Sequence, residues 1–155
     1  MGKKNQNPIQ RGAARQAKHT TRLPDARATR RYGRALVASL PGGTTVALAG
    51  PLGAGKTTLV KGMAEGIGIP PDEVTSPTFV LVQPHRAPRG GRRLIHVDAF
   101  RLTAREFRDL DLAPGPADLL AVEWADRVHD ALPPDAVWIR LAEGPGGRCR
   151  TARRG

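Results

Sequence analysis

Cysteine is nearly absent. Cys149 is the single one in 155 residues, so no internal disulfide can form and nothing calls for an oxidising compartment. It stands in an Arg-rich tail without an adjacent base and reads as an inert thiol. Aromatic residues make up 4% of the chain, so the core has to be built from Leu, Val, Ile and Ala. No apolar run approaches the roughly 18 residues of a membrane span. No apolar stretch near Met1 reads as a signal peptide. The expectation is a chain without a membrane role, located in the cytoplasm. Metal-binding Cys/His clusters, helix-turn-helix and aromatic RNA-binding motifs, and internal repeats are all missing.

Acidic residues are scarce at the start. Residues 1–34 carry ten Lys and Arg against one acid, Asp25, a net +9, while the other 121 residues carry only +2. The basic character of the whole, +11, therefore belongs to the leading segment. Within residues 1–23 the sizeable apolar residues are Ile9 and Leu23, too few to bury a face, so a disordered extension is expected. The favoured reading is a solvated tail or an overlong start, the alternative is a basic arm that meets RNA phosphates, and a transit peptide is the remaining one. A single globular domain is expected over 24–145, followed by a basic tail or edge strand over 146–155.

What is present is a phosphate-binding loop. Gly50-Pro51-Leu52-Gly53-Ala54-Gly55-Lys56-Thr57 has the pattern G-x-x-x-x-G-K-T. Glycines let the backbone approach a phosphate, its N–H groups form an anion nest, and the next helix adds its positive end. Lys56 brings a point charge, and the Thr57 hydroxyl is a hard ligand for magnesium. The context agrees: Thr44 to Ala49 reads as a buried strand, and Leu59, Met63 and Ile67 recur at helical spacing.

Around this unit the spacing predicts a first helix over 25–40, ended by Pro41-Gly42-Gly43. The loop Thr75-Ser76-Pro77-Thr78-Phe79 follows the phosphate-loop helix and leads into an expected strand Phe79–Val82. Its hydroxyls suit a γ-phosphate sensor or an ordinary turn, and spacing does not choose between them. Gln83 to Arg93 reads as a mobile loop or hairpin tip, with a phosphate-clamping lid as the alternative. Leu94–Asp98 and Leu119–Glu123 are apolar strands that each end in an acid. In a parallel α/β sheet ligands bind beyond such strand ends, where an acid can hold magnesium or orient a water. His96 faces the same side as Asp98 and is favoured as a packed or hydrogen-bonded histidine over a base. A short helix at 104–110, a helix after Trp124, a strand over 137–141 and a strand near Arg148-Cys149-Arg150 complete the expected order.

The only asparagines are Asn5 and Asn7, so the Asn-Lys-x-Asp element of a guanine-specific GTPase is missing and ATP is the expected nucleotide. Three classes remain: an ATPase, a P-loop kinase of a small molecule or polynucleotide end, and a nucleotide-gated binding module.

Four stretches together resemble the TsaE family, the small bacterial ATPase of tRNA threonylcarbamoyladenosine synthesis. They are Leu48–Leu59 with the phosphate loop, Thr75-Ser76-Pro77-Thr78-Phe79, His96-Val97-Asp98-Ala99-Phe100-Arg101-Leu102, and Val122-Glu123-Trp124-Ala125. The resemblance implies an α/β P-loop fold with a mostly parallel sheet flanked by helices. It implies ATP and Mg2+, and a TsaB–TsaD heterodimer as partner, with tRNA met indirectly or through the basic extension. TsaD transfers threonylcarbamoyl to the adenosine next to the anticodon, and the ATPase drives turnover of the assembly. By the same resemblance Gly50, Leu52, Gly53, Ala54, Gly55, Lys56, Thr57 and Thr58 bind the nucleotide. Thr75 to Phe79 form a switch, and Lys56, Asp98, Glu123 and Trp124 are catalytic. Both strand-end acids could reach magnesium; their placement together with the resemblance assigns Glu123, with Thr57, mainly to the metal and Asp98 mainly to orienting the attacking water or the switch, while Trp124 packs beside the site and excludes bulk water. The family usually has an acid where this chain has Pro51.

Overall fold

Three strands are apolar on both faces. In β2 (Thr44–Ala49), β4 (Arg93–Asp98) and β5 (Asp118–Glu123) every residue after the first is buried. Strands of this kind belong in a parallel sheet covered on both sides, and the computed structural model of the chain has that arrangement. It describes residues 19–144 and the strand backbone of 150–154. The other strands are β1 (His19–Leu23), β3 (Val82–Arg86), β6 (Val137–Glu143) and β7 (Arg150–Arg154). The seven strands stand in the order β1-β7-β6-β2-β5-β4-β3. The central four, β6, β2, β5 and β4, run parallel, with antiparallel pairs at both margins.

Side chains alternate across this sheet and split the core in two. Val46, Leu48, Leu94, Leu119, Ala121 and Ile139 meet α1 (Ala26–Ala38) and α2 (Lys56–Gly66) on one face. On the other, Ala47, Ile95, Val97, Leu120 and Val122 meet Phe107 of α3 (Ala104–Asp109) and the 3-10 turns of Ala125–Ala131. The expected parallel P-loop sheet between helices is therefore present. The same alternation puts His96, Asp98 and Glu123 on the α2 side, and Asp98 pairs with Glu123 across β4 and β5.

Helix starts follow local chemistry. Asp25 caps α1, accepting a hydrogen bond from the Ala28 N–H at 2.7 Å. Thr103 and Glu106 form a reciprocal capping box on α3.

Several elements differ from expectation. His19–Leu23, read as part of a disordered extension, is an edge strand, because Leu23 is buried and β7 supplies a pairing partner. Residues 1–18 lie outside the described residues. The strand expected at Phe79–Val82 is shifted to Val82–Arg86, with Leu81 at φ 63° in the preceding turn. It shares with β4 a hairpin whose tip is shorter than the loop read from Gln83 to Arg93. Pro84 is compatible with β3 because β3 is a sheet edge. The C-terminal strand falls at Arg150–Arg154 and lies between β6 and β1, not at the edge. The reading at Arg148 and Cys149 lies outside the described residues.

Two predictions come from the packing. A Cβ on Gly62 would lie 2.2 Å from the Arg30 carbonyl oxygen, and one on Gly33 would lie 2.5 Å from that of Leu59. The α1 and α2 backbones thus touch. Gly→Ala inside a helix ordinarily stabilises by about 1 kcal/mol. Here the clash dominates, and Gly62→Ala should destabilise by about 1–3 kcal/mol, read as a lower urea midpoint at unchanged slope.

The second concerns acid. Arg93 grips Asp118 with both arms of its guanidinium, at 3.2 and 2.6 Å, and Gly115 N–H donates to the same carboxylate at 2.9 Å. These bonds, Arg93 first, hold the Asp118 carboxyl below its ordinary value of 3.8. A depressed folded-state value stabilises above the unfolded value and is lost as pH falls through the folded one. The urea midpoint of Asp118→Asn should therefore fall less steeply than that of the unsubstituted chain between about pH 5 and about pH 2.

Candidate active site

The phosphate loop leaves β2 at Gly50, whose φ is 152° and where a Cβ would stand 2.5 Å from the Leu141 carbonyl oxygen. Only glycine fits that approach. Gly55, at φ 99°, then turns the chain into α2, which begins without a side-chain cap. The backbone N–H groups of its first turn are therefore open to an anion.

A cleft of about 250 Å³ opens over this turn. Leu52, Gly53, Gly55, Lys56, Thr57 and Thr58 line it from the loop side. Ser76 and Thr78 come from the preceding loop of β3, and Asp98, Glu123 and Trp124 from the ends of β4 and β5. The other expected residues are not in its wall. Ala54 is buried in the core and Gly50 packs on Leu141, so both shape the loop from behind. Thr75, Pro77 and Phe79 do not line the cleft, and Phe79 is 90% exposed.

Lys56 is folded back over the loop. Its Nζ donates to the carbonyls of Gly50 at 2.6 Å and Pro51 at 2.9 Å, and lies 3.7 Å from the centre of the Trp124 ring. Burial pushes its ammonium below the ordinary lysine value, opposed by the charges of Glu123, Asp126 and Asp98. Trp124 reaches the lysine because its backbone is left-handed, at φ 57°. The Phe100 ring meets the Trp124 ring at a 59° tilt with centroids 4.8 Å apart, and the Arg127 guanidinium lies 4.4 Å from the centre of the Phe100 ring.

Two acids hold two different hydroxyls. Glu123 Oε1 accepts from Thr57 Oγ1 at 2.8 Å and lies 2.7 Å from His96 Nε2. Asp98 Oδ2 accepts from Thr78 Oγ1 at 3.1 Å, and Oδ1 from the Phe100 N–H at 2.8 Å. Thr78 is in turn 2.8 Å from Ser76 Oγ. His96 is the hydrogen-bonded histidine expected from its strand position. The contacts of Phe100 with Trp124 and of Arg127 with Phe100 were not legible in the sequence, since Trp124 takes a left-handed backbone.

Sheet order, glycine loop and paired acids define the P-loop class of α/β fold. A solved structure of the same architecture, Bacillus subtilis YdiB, superposes with a TM-score of 0.69 at 27% identity, covering 88% of this chain and 84% of that one. The family model of "Threonylcarbamoyl adenosine biosynthesis protein TsaE" matches residues 23–151. Curated relatives bear the name tRNA threonylcarbamoyladenosine biosynthesis protein TsaE. That of Streptomyces coelicolor is 42% identical over 76% of this chain and 80% of its own. That of Synechocystis is 41% identical over 68% and 69%, and that of Mycobacterium tuberculosis 37% over 79% and 77%. The chain belongs to the TsaE family of tRNA threonylcarbamoyladenosine biosynthesis.

The Lys56–Trp124 contact gives an optical test. Trp124 is one of two tryptophans; the ring of the other, Trp138, lies 5.4 Å from that of His129 at a tilt of 33°. Adding a nucleotide should move the ammonium off the indole and change its emission. Trp138→Phe should keep the change and Trp124→Phe should remove it. A response carried by Trp138 alone would overturn this placement.

Proposed function

We propose that the chain binds ATP with magnesium in this cleft and hydrolyses it, and that hydrolysis drives turnover of a TsaB–TsaD complex carrying out the threonylcarbamoyl transfer. The observation that carries the reading is the Thr57–Glu123 hydrogen bond. It joins the hydroxyl of the phosphate loop to the strand-end acid 66 residues later.

The donor set suits the cation, since Thr57 Oγ1 and Glu123 Oε1 are hard oxygens 2.8 Å apart at the start of α2. Thr57 and Glu123 would hold magnesium, which when bound offsets charge on the phosphate oxygens. The N–H groups of the loop and first turn would bind the phosphates. Lys56 would exchange its two carbonyls for phosphate oxygens and stabilise charge on the transferred group. Asp98, anchored by Phe100 N–H, would orient the attacking water and report through Thr78 on the Ser76–Thr78 loop. Trp124 and Phe100 would exclude bulk water on one side, which strengthens electrostatics in the cleft.

A protein partner at this end of the sheet is supported by exposure. The large apolar side chains exposed among the described residues are Leu52, Phe79, Val80 and Phe100. All four stand on loops at the carboxyl ends of the parallel strands, and apolar side chains exposed at one end of the sheet favour contact with another protein. tRNA is proposed to be met indirectly through the partner complex, or through the basic extension. Among the described residues no helix is long and apolar enough to cross a membrane, and the cytoplasm is the proposed location.

Phosphate release into water, measured with the chain alone and with the TsaB–TsaD complex, tests the proposal. Lys56→Ala should fold normally and lose turnover by about 100-fold or more. Asp98→Asn should keep magnesium-dependent ATP affinity and lose turnover, whereas Glu123→Gln should weaken the magnesium dependence of binding itself. The reverse pattern would exchange the two roles. Release that needs an acceptor other than water would make the chain a kinase.

A further inference from the structure

Three buried polar side-chain atoms among the described residues have no protein partner: Gln83 Oε1, His85 Nε2 and His96 Nδ1. They lie together on the α2 side of the β3–β4 hairpin. Gln83 is the register partner of His96, and the His85 ring centre is 6.3 Å from that of His96. His96 is completely buried, and only its Nε2 has a partner, Glu123 Oε1 at 2.7 Å.

The contact with Glu123 assigns a proton to Nε2. An ionised carboxylate oxygen only accepts, so the imidazole nitrogen 2.7 Å from Oε1 is the donor.

The two acids are anchored differently. Asp98 is held by a backbone N–H, that of Phe100. Glu123 has a longer side chain, and its hydrogen bonds among the described residues are to two side chains, the Thr57 hydroxyl and His96. The hydroxyl rotates freely, whereas the imidazole is locked in β4 by complete burial.

We propose that His96 is a positioning residue for Glu123: its Nε2–H fixes the carboxylate oxygen that receives Thr57, so that β4 sets the oxygen geometry at the start of α2. The inference rests on Glu123 and Thr57 forming the magnesium shell. An outer residue of this kind affects a metal through the direction of its ligand, without touching it.

The test uses His96→Leu, which removes the donor, and His96→Gln, whose amide N–H falls near the imidazole Nε2. The affinity of a fluorescent ATP analogue is measured with magnesium and with EDTA, beside a melting curve. In His96→Leu the gain in affinity from magnesium should fall about tenfold while affinity in EDTA stays within about twofold. His96→Gln should restore most of the gain. A long-range 1H–15N spectrum of the unliganded, unsubstituted chain should show the His96 ring protonated on Nε2. A ring protonated on Nδ1 alone would overturn the proposal, as would a magnesium gain untouched by His96→Leu. Equal losses in both variants, with equally lowered melting, would reduce His96 to packing and also overturn it. An unsubstituted chain with no magnesium gain would overturn the metal reading beneath it, and the proposal with it.

Discussion

One carboxylate oxygen connects three parts of the fold. Glu123 Oε1 bonds Thr57 at the start of α2 and His96 in β4, and its own backbone ends β5. Glu123 is 3% exposed, and a carboxylate buried that far is costly unless it is hydrogen-bonded. Asp98, equally buried, is its register partner on the neighbouring strand, which adds repulsion between like charges. The donors around the pair answer both costs: Thr57 and His96 on one acid, Thr78 and Phe100 N–H on the other, with the Lys56 cation nearby. The polar centre therefore holds only if strand register, loop and helix start are all in place.

How much of this the sequence discloses depends on burial. Strands β2, β4 and β5 are buried on both faces and read as apolar runs. The marginal strands carry no such signal. In β1 the single buried residue is Leu23, and in β3 it is His85, beside a proline and an arginine. Their pairing comes from neighbours distant in the chain, which local composition does not record. The acids were legible as strand ends, but the bond from Thr57 to Glu123 required the β2–β5 pairing to bring the loop and the acid together. The Lys56–Trp124 contact was not legible at all, because a tryptophan at positive φ is uncommon and no residue pattern announces it.

Lys56 shows how the loop balances its charge. Two carbonyls and an indole face occupy the ammonium, and burial still pushes its protonation downward. The carboxylates of Glu123, Asp126 and Asp98 pull the other way. A phosphate would replace the weak carbonyl dipoles with formal negative charge, so the lysine gains more from that exchange than a solvated surface lysine would. A loop shaped by glycines, with a cation held only by carbonyl dipoles and a ring face, would favour phosphate over a neutral ligand.

Pro51 can be judged on the same terms. What proline removes from a loop is one N–H and one free torsion. The N–H groups of the first turn of α2, which face the cleft, are untouched by the change. What position 51 contributes is its carbonyl, which accepts from Lys56 Nζ and, at 3.1 Å, from the Ala54 N–H. Any residue supplies a carbonyl, and proline holds it on a chain whose φ is already fixed. The acid usual at this position in the family would add a charge at an exposed rim, where solvent screens it. The departure therefore alters the charge of the rim and leaves intact the backbone that bonds Lys56.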